Sequence, residues 1–303
     1  MKTTETDYRC GYVAIVGRPN VGKSTLLNYL VGQKVSITSR KPQTTRHQIL
    51  GIKTTSHYQV IYVDTPGLHK NASRAMNRYM NRAATSVLHG VNVVIFLIEA
   101  LRWTDEDEMV LSRIKDSEIP AILLVNKVDK LEDKSKLLSF LQEISIKHSF
   151  EHIIPVSALK GNNLDELEKV IFDYLEVSSP WYSDDMVTDR SIRFLTAEII
   201  REKLMRGLGQ EVPYDLTVEI ESFKEKENVT HINALIWVER ANQKSIVIGK
   251  KGERLKSIGK QSRKDIEKLL DKKVYLELWV KVKEGWSDDE RALLSLGYKD
   301  ELE

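Results

Sequence analysis

The run Gly17-Arg18-Pro19-Asn20-Val21-Gly22-Lys23-Ser24 constrains this chain most. It fits G-x-x-x-x-G-K-[ST], the phosphate-binding loop. The apolar run Tyr12 to Val16 before it reads as a buried strand, and Thr25 to Leu30 after it reads as a helix. Gly17 and Gly22 allow the backbone to come close to a phosphate. The loop N–H groups and the helix N-terminus supply positive potential there. Lys23 offers a point charge to β- and γ-phosphates, Ser24 a hydroxyl to Mg²⁺, and Thr25 closes the nucleotide-contacting run. An ordinary glycine turn before a helix is the alternative, but it does not require all eight positions and both flanks.

The rest of the chain agrees with an α/β domain built on that loop. Strand-like runs at Gln48–Ile52, Tyr58–Val63, Val91–Ile98, Ala121–Val125 and Ile153–Val156 alternate with helical stretches. That alternation predicts a mostly parallel sheet with helices on both faces. Each candidate motif lies just after the carboxyl end of a strand, where open α/β sheets bind ligands. From Ser191 the order becomes helix, strand, strand, helix, helix, strand, a smaller α+β domain. The 303 residues suffice for two domains, and a net charge of +2 confines any basic surface to a local patch. A single cysteine, Cys10, excludes an internal disulfide framework and suits a reducing compartment. The first residues lack the apolar run of a signal peptide, and Val91 to Ile98 is too short to span a bilayer. Peripheral membrane association stays open. The scattered histidines form no metal-ligand spacing.

Asp64-Thr65-Pro66-Gly67, at the end of a strand, offers a carboxylate to a Mg²⁺ shell and the Gly67 N–H to a γ-phosphate. Asn126-Lys127-Val128-Asp129 points to the base. A carboxylate at Asp129 matches the paired N1–H and N2 donors of guanine, which adenine lacks. Asp129 as a plain helix cap is the alternative. Ser157-Ala158-Leu159, after the last strand of the first domain, is positioned to present a backbone N–H to guanine O6.

In the second domain, Ile246-Val247-Ile248-Gly249-Lys250-Lys251-Gly252 reads as V-I-G-x-x-G, the loop of a KH domain. Such a loop brings backbone close to about four single-stranded nucleotides. Lys250 and Lys251 would contact phosphate, Ile246, Ile248 and Leu255 would form an apolar groove, and Arg254 and Lys256 extend the basic patch. A plain turn and a solvated lysine face are the alternatives. The final strand after the G-x-x-G helices is similar to the type II arrangement.

Taken together, the phosphate loop with Pro19-Asn20 and the run Pro42-Gln43-Thr44-Thr45-Arg46 resemble the Era group of bacterial GTPases, over nearly the whole chain. The resemblance implies a P-loop GTPase domain at 8–177, a linker at 178–190, a type II KH domain at 191–285 and a tail at 286–303. It implies GTP and GDP as ligands and Mg²⁺ as cofactor, held by Ser24, Asp64 and a switch threonine, Thr45 with Thr44 as runner-up. It implies hydrolysis of GTP to GDP and phosphate. Leu68 stands where Ras-like proteins carry a water-orienting Gln, so slow intrinsic hydrolysis is expected. In relatives with an asparagine at the position of Asn20, that residue helps hold an activating K⁺. The resemblance further implies a monomer that binds the 3′ end of small-subunit (16S) ribosomal RNA and acts in assembly of the 30S subunit. Its expected location is the cytoplasm, with some peripheral attachment to the inner membrane. The rivals are a P-loop kinase, against which Asn126 to Asp129 argue, and a tRNA-modifying GTPase, whose C-terminal cysteine is missing. A GTPase whose main partner is a protein or a membrane is the remaining alternative.

Overall fold

The computed structural model describes residues 8–67, 74–88, 90–208, 216–296 and 298. From the N-terminus the elements are β1 (Arg9–Val16), α1 (Lys23–Val31), β2 (Ile49–Thr54), β3 (Tyr58–Asp64), α2 (Ala75–Ser86) and β4 (Val93–Glu99). They continue as α3 (Asp105–Ser117), β5 (Ala121–Asn126), α4 (Ser135–Ser145), β6 (His152–Pro155), α5 (Leu164–Asp173) and β7 (Glu176–Val177). The later elements are α6 (Ile192–Gly207), β8 (Leu216–Glu225), β9 (Val229–Val238), α7 (Ala241–Ile248), α8 (Glu253–Leu270), β10 (Lys273–Val282) and α9 (Glu290–Ser295). The chain divides into two units. One gathers Met1–Ser36, Thr45–Ala72 and Met80–Asp189, and the other gathers Ile37–Thr44, Ser73–Tyr79 and Arg190–Glu303.

In the first unit the sheet order is β2-β3-β1-β4-β5-β6. The pairs β1–β3, β1–β4, β4–β5 and β5–β6 are parallel, and only β2 and the short β7 run antiparallel to their neighbours. Val93 through Ile98 of β4 are all fully buried, as expected of a strand covered on both faces. A continuous apolar run, without period-2 alternation, is what such a position selects. Helix α3 begins with a capping box: Thr104 caps the Asp107 N–H, and the Asp107 side chain returns to the Thr104 N–H.

Residues 176–189 do not behave as a free connector. Glu176 and Val177 pair with Cys10 and Arg9 of β1. Tyr182 and Met186 then pack against the cluster of Cys10, Ile52 and Ile61. Gln59, fully buried, holds the segment down. Its Oε1 accepts from the Trp181 and Tyr182 N–H groups at 2.8 and 3.0 Å, and its Nε2 donates to the Tyr182 carbonyl at 2.9 Å. Cys10 therefore lies inside β1 and under this segment, whereas its sequence position suggests only a place before the first strand.

The second unit is a three-stranded sheet, β10-β9-β8, with β9–β10 parallel and β8–β9 antiparallel. Helices α6 and α8 bury Ile200, Leu204, Ile258 and Ile266 with Ile232, Ala234 and Ile236 of β9. The first helix expected after Ser191 is present as α6, yet its polar side is not solvated. Arg201 and Glu202 are buried, with Arg201 paired to Glu198 at 2.6 Å. Glu202 Oε1 accepts the Thr38 N–H at 3.0 Å, and the Arg206 guanidinium donates to the Thr38 carbonyl at 2.9 Å. Arg201 donates to the Thr44 carbonyl. Segment 37–44 covers the helix, and a buried face of this kind needs charges that pair with one another. Trp286, read as part of a polar tail, is fully buried.

Gln59→Ala would remove the partner of three main-chain groups of Trp181 and Tyr182 and leave a cavity at a fully buried position. It is expected to lower the unfolding free energy by about 2–4 kcal/mol, measured by urea melts. An unchanged midpoint would show that the docking of this segment contributes nothing.

Candidate nucleotide site and nucleic-acid cleft

The phosphate loop occupies the turn between β1 and α1, and its shape depends on two glycines. A Cβ at Gly17 (φ +150°) would lie 2.4 Å from the Leu97 carbonyl oxygen, and one at Gly22 (φ +115°) 2.4 Å from the Asn126 amide nitrogen. Gly67 also packs closely, its hypothetical Cβ falling 2.8 Å from the Pro19 nitrogen. Lys23 is buried and its ammonium donates to the Gly17 and Arg18 carbonyls at 2.8 and 3.1 Å. Burial pushes the Lys23 ammonium down to about 8, against the opposing pull of the Asp64 carboxylate. The same burial raises the Asp64 carboxyl.

Four oxygen-bearing side chains, those of Ser24, Ser36, Thr45 and Asp64, meet beside the lysine. Ser24 Oγ donates to Asp64 Oδ2 at 2.7 Å and lies 2.8 Å from Thr45 Oγ1. Ser36 Oγ donates to the same Asp64 oxygen at 2.9 Å. The other oxygen, Oδ1, is buried without a hydrogen-bond partner among the described residues. A hard dication with oxygen ligands, completed by water and phosphate, fits this donor set. The hydroxyl of Thr44 is engaged elsewhere, donating to the Lys41 carbonyl at 2.6 Å. Asn20 stands exposed at the outer turn in a left-handed conformation (φ +64°). Leu68 lies outside the described residues.

At the end of β5, Asn126 ties the loops together. Its Nδ2 donates to the Val21 carbonyl at 2.7 Å, and its Oδ1 accepts the Ala158 N–H at 2.9 Å. Of the backbone N–H groups in the stretch expected to present one to guanine O6, that of Ala158 is given to Asn126 here. Asp129 is exposed, with Oδ1 receiving the Ser157 hydroxyl at 2.5 Å, while Leu159 is exposed beside it.

Arg18 plays a different part from its neighbours. Its side chain is buried and turned away from the loop's mouth. Nε donates to Asp107 at 3.1 Å and an NH₂ group to Glu99 at 3.0 Å. Lys127 binds the other Glu99 oxygen at 3.1 Å. Glu99 therefore bridges the phosphate loop and the loop that follows β5. Burial opposes its ionisation, but Lys127 and then Arg18 outweigh this and hold the carboxyl below its ordinary value of 4.5. Glu99 carries no local motif, and the capping-box position of Asp107 does not point to Arg18. Their places at the end of β4 and in the first turn of α3 bring them to it.

In the second unit, Gly249 (φ +75°) and Gly252 (φ +78°) frame a turn in which Lys251 is also left-handed. A Cβ at Gly249 would lie 2.7 Å from the Arg254 Cβ, and one at Gly252 would meet nothing within 4 Å. Lys250, Lys251 and Lys256 are exposed. Arg254 donates to the Ile246 carbonyl at 2.6 Å, so it braces the turn as well as carrying charge. A cleft of about 510 Å³ opens beside the turn, lined by Gly252, Leu255, Lys256, Gly259, Lys260, Arg263, Leu276 and Leu278. Ile246 and Ile248 are half-buried next to the core and do not line this cleft. Its apolar wall comes instead from Leu255 and from β10.

The profile of the family described as 50S ribosome-binding GTPase matches residues 12–127, and that of the KH domain matches residues 211–287. GTPase Era of Ectopseudomonas mendocina is 60% identical over 292 residues, covering 96% of this chain and 98% of that protein. The chain belongs to the Era GTPase family.

Among solved structures, a single-residue variant of Aquifex aeolicus Era bound to GDP·AlF₄⁻ matches with a TM-score of 0.93 at 44% identity, covering 96% of this chain and all of the other. Era in complex with MgGDPNP and nucleotides 1506–1542 of 16S ribosomal RNA matches with a TM-score of 0.94 at 44% identity, covering 97% of this chain and all of the other. As an Era-family GTPase, the chain has the expected architecture: a P-loop domain with a mostly parallel sheet, then a KH domain. Among the described residues no helix is long and apolar enough to cross a membrane.

Glu99→Gln is expected to weaken GTP binding about tenfold, the worth of one charge-assisted hydrogen bond, as read by fluorescent-nucleotide titration. A carboxylate with a depressed folded-state pKa contributes stability fully above the unfolded value and loses it as pH falls through the folded value. The gap in melting temperature between Glu99→Gln and wild type should therefore be largest at neutral pH and close below about 4.5. A gap independent of pH would disprove the bridge.

Proposed function

We propose that this chain is a GTP-hydrolysing switch that binds the 3′ end of small-subunit ribosomal RNA and acts in assembly of the small ribosomal subunit. The observation that carries this reading is the match over 97% of the chain to the Era structure holding both MgGDPNP and a 16S fragment. The match to the 50S ribosome-binding GTPase family is confined to residues 12–127, within the GTPase domain, and leaves the RNA partner to the second unit.

The chemistry follows from the site. Phosphoryl transfer to water depends on positioning and charge stabilisation, with little covalent work for the protein. Lys23 turns its ammonium from the loop carbonyls to the β- and γ-phosphates. The backbone N–H groups from Asn20 to Ser24 and the α1 N-terminus face the phosphates, and the Gly67 N–H senses the γ-phosphate. Ser24, Thr45 and Asp64 hold Mg²⁺, which supplies charge neutralisation at the phosphates when bound. Thr45, at 2.8 Å from Ser24, supports this role better than Thr44, whose hydroxyl is taken by Lys41. Asp129 reads guanine from the base-reading loop, while Asn126 fixes that loop to the phosphate loop. In the second unit the Gly249–Gly252 turn brings backbone to the RNA, with Lys250, Lys251, Lys256 and the α8 cations on its phosphates.

Asn20 is proposed to help seat a K⁺ ion that stands in for an arginine finger. Its exposed side chain on a left-handed turn supports that role. GTP turnover is expected to be faster in K⁺ than in Na⁺, with the difference lost in Asn20→Ala. Equal rates for wild type in the two salts would rule K⁺ out.

Crosslinking and sequencing of bound RNA, with GTP present, tests the main reading. Reads from wild type are expected to concentrate near the 3′ end of small-subunit ribosomal RNA and to vanish in Gly249→Asp/Gly252→Asp. Reads spread over many RNAs, or unchanged in the variant, would point to a protein or membrane partner instead.

A further inference from the structure

The KH sheet has a second face. Alternation along β10 sends Leu276 and Leu278 toward the cleft and α8, and sends Tyr275 and Trp279 to the opposite side. Tyr275 is 51% and Trp279 58% exposed, unusual for aromatic side chains of this size. They are four residues apart on one strand face, about 13 Å by strand geometry. On β9, His231 lies opposite Tyr275, with ring centroids 5.2 Å apart, and Trp237 lies opposite Lys281. The ammonium groups of Lys281 and Lys283 sit 5.8 and 5.9 Å from the Trp237 ring centroid.

We infer that this face is a base-stacking platform for single-stranded RNA leaving the cleft. The inference rests on the RNA reading proposed above and extends it. Three observations favour RNA as the occupant. First, β10 is an edge strand, so the cleft and the platform are two sides of the same strand. A strand of RNA crossing that edge passes from Leu276 and Leu278 to Trp279 without a break. Second, charge runs the right way. Lys273 and Lys281 share the aromatic face of β10 and Lys283 follows it, outnumbering the strand's one carboxylate, Glu277, which lies between the aromatics and accepts the Tyr275 hydroxyl at 3.0 Å. The exposed acids Glu219 and Glu221 lie on β8, the far edge, where Glu219 accepts the Trp237 indole N–H at 2.8 Å. Third, the aromatic rings are separated by polar and charged neighbours, not joined into the continuous apolar patch that a protein partner would bury. A stacking platform needs only isolated π-faces with cations nearby.

The test compares two labelled single strands from the 3′ terminus of small-subunit ribosomal RNA by fluorescence anisotropy. One is about four nucleotides long, enough to fill the cleft, and the other is extended by several nucleotides. Trp279→Ala is expected to lose about tenfold in affinity for the long strand and nothing for the short one, with Trp279→Phe restoring the loss. Lys281→Ala/Lys283→Ala is expected to flatten the salt dependence of long-strand binding. The platform is disproved if Trp279→Ala binds the long strand as wild type does, or weakens both strands equally. It is also disproved if the wild-type chain dimerises through this face and Trp279→Ala abolishes only the dimer. The parent reading is tested separately by Gly249→Asp/Gly252→Asp. If that variant still binds both strands, the cleft itself is not the RNA site. If it loses the short strand while Trp279→Ala keeps the long one, only the platform fails.

Discussion

Parallel strands that share a sheet must end at the same edge. In the first unit, β1, β3, β4, β5 and β6 all run one way, so the loops that follow them open at one rim. The phosphate loop, the Asp64 loop, the Glu99 turn, the Asn126 loop and the Ser157 loop are each the sequel of one of those strands. No long-range search is needed to assemble the site once the strands pair. Side-chain bonds then fix the loops to one another: Ser24 to Asp64, Asn126 to Val21 and Ala158, and Glu99 to both Arg18 and Lys127. The pairing direction depends in turn on apolar runs such as Val93 to Ile98, which tolerate cover on both faces.

What the sequence makes legible is what chemistry constrains locally. Gly17, Gly22, Lys23 and Ser24 are close in the chain because the phosphate is small, and Gly249 and Gly252 frame a turn for the same reason. Thr44 and Thr45 are indistinguishable in a string of letters. The structure separates them by their partners: the Thr44 hydroxyl goes to the Lys41 carbonyl, and the Thr45 hydroxyl lies against Ser24. Glu99, Asp107 and Gln59 are silent in the sequence, since each acts on a partner more than forty positions away in the chain. A single glutamine between Tyr58 and Val60 in a strand gives no signal that it will seat a connecting segment.

Helix α6 shows the limit of periodicity. Leu195, Ile199 and Leu204 sit where a 3.6-residue repeat places them, inside. Arg201 and Glu202 sit inside as well, because segment 37–44 covers the side that periodicity assigns to solvent. Paired charges are tolerated in such a position where single ones are not. The apolar wall of the cleft is a similar case. Ile246 and Ile248 lie next to the glycine turn in sequence, yet Leu276 and Leu278 reach the cleft because a parallel edge strand, laid down after α8, returns alongside the helix.

That parallel return has a bearing on synthesis. A parallel neighbour cannot be reached by a hairpin, so β10 pairs with β9 only after α7 and α8 have been made and packed. The nucleotide loops are complete once Leu159 has emerged, whereas one wall of the cleft is contributed by residues 273–282, more than a hundred positions later. A growing chain therefore acquires its nucleotide pocket first and its cleft among the last features. For a chain made from its N-terminus, that order leaves the cleft without one wall until long after the nucleotide loops are in place.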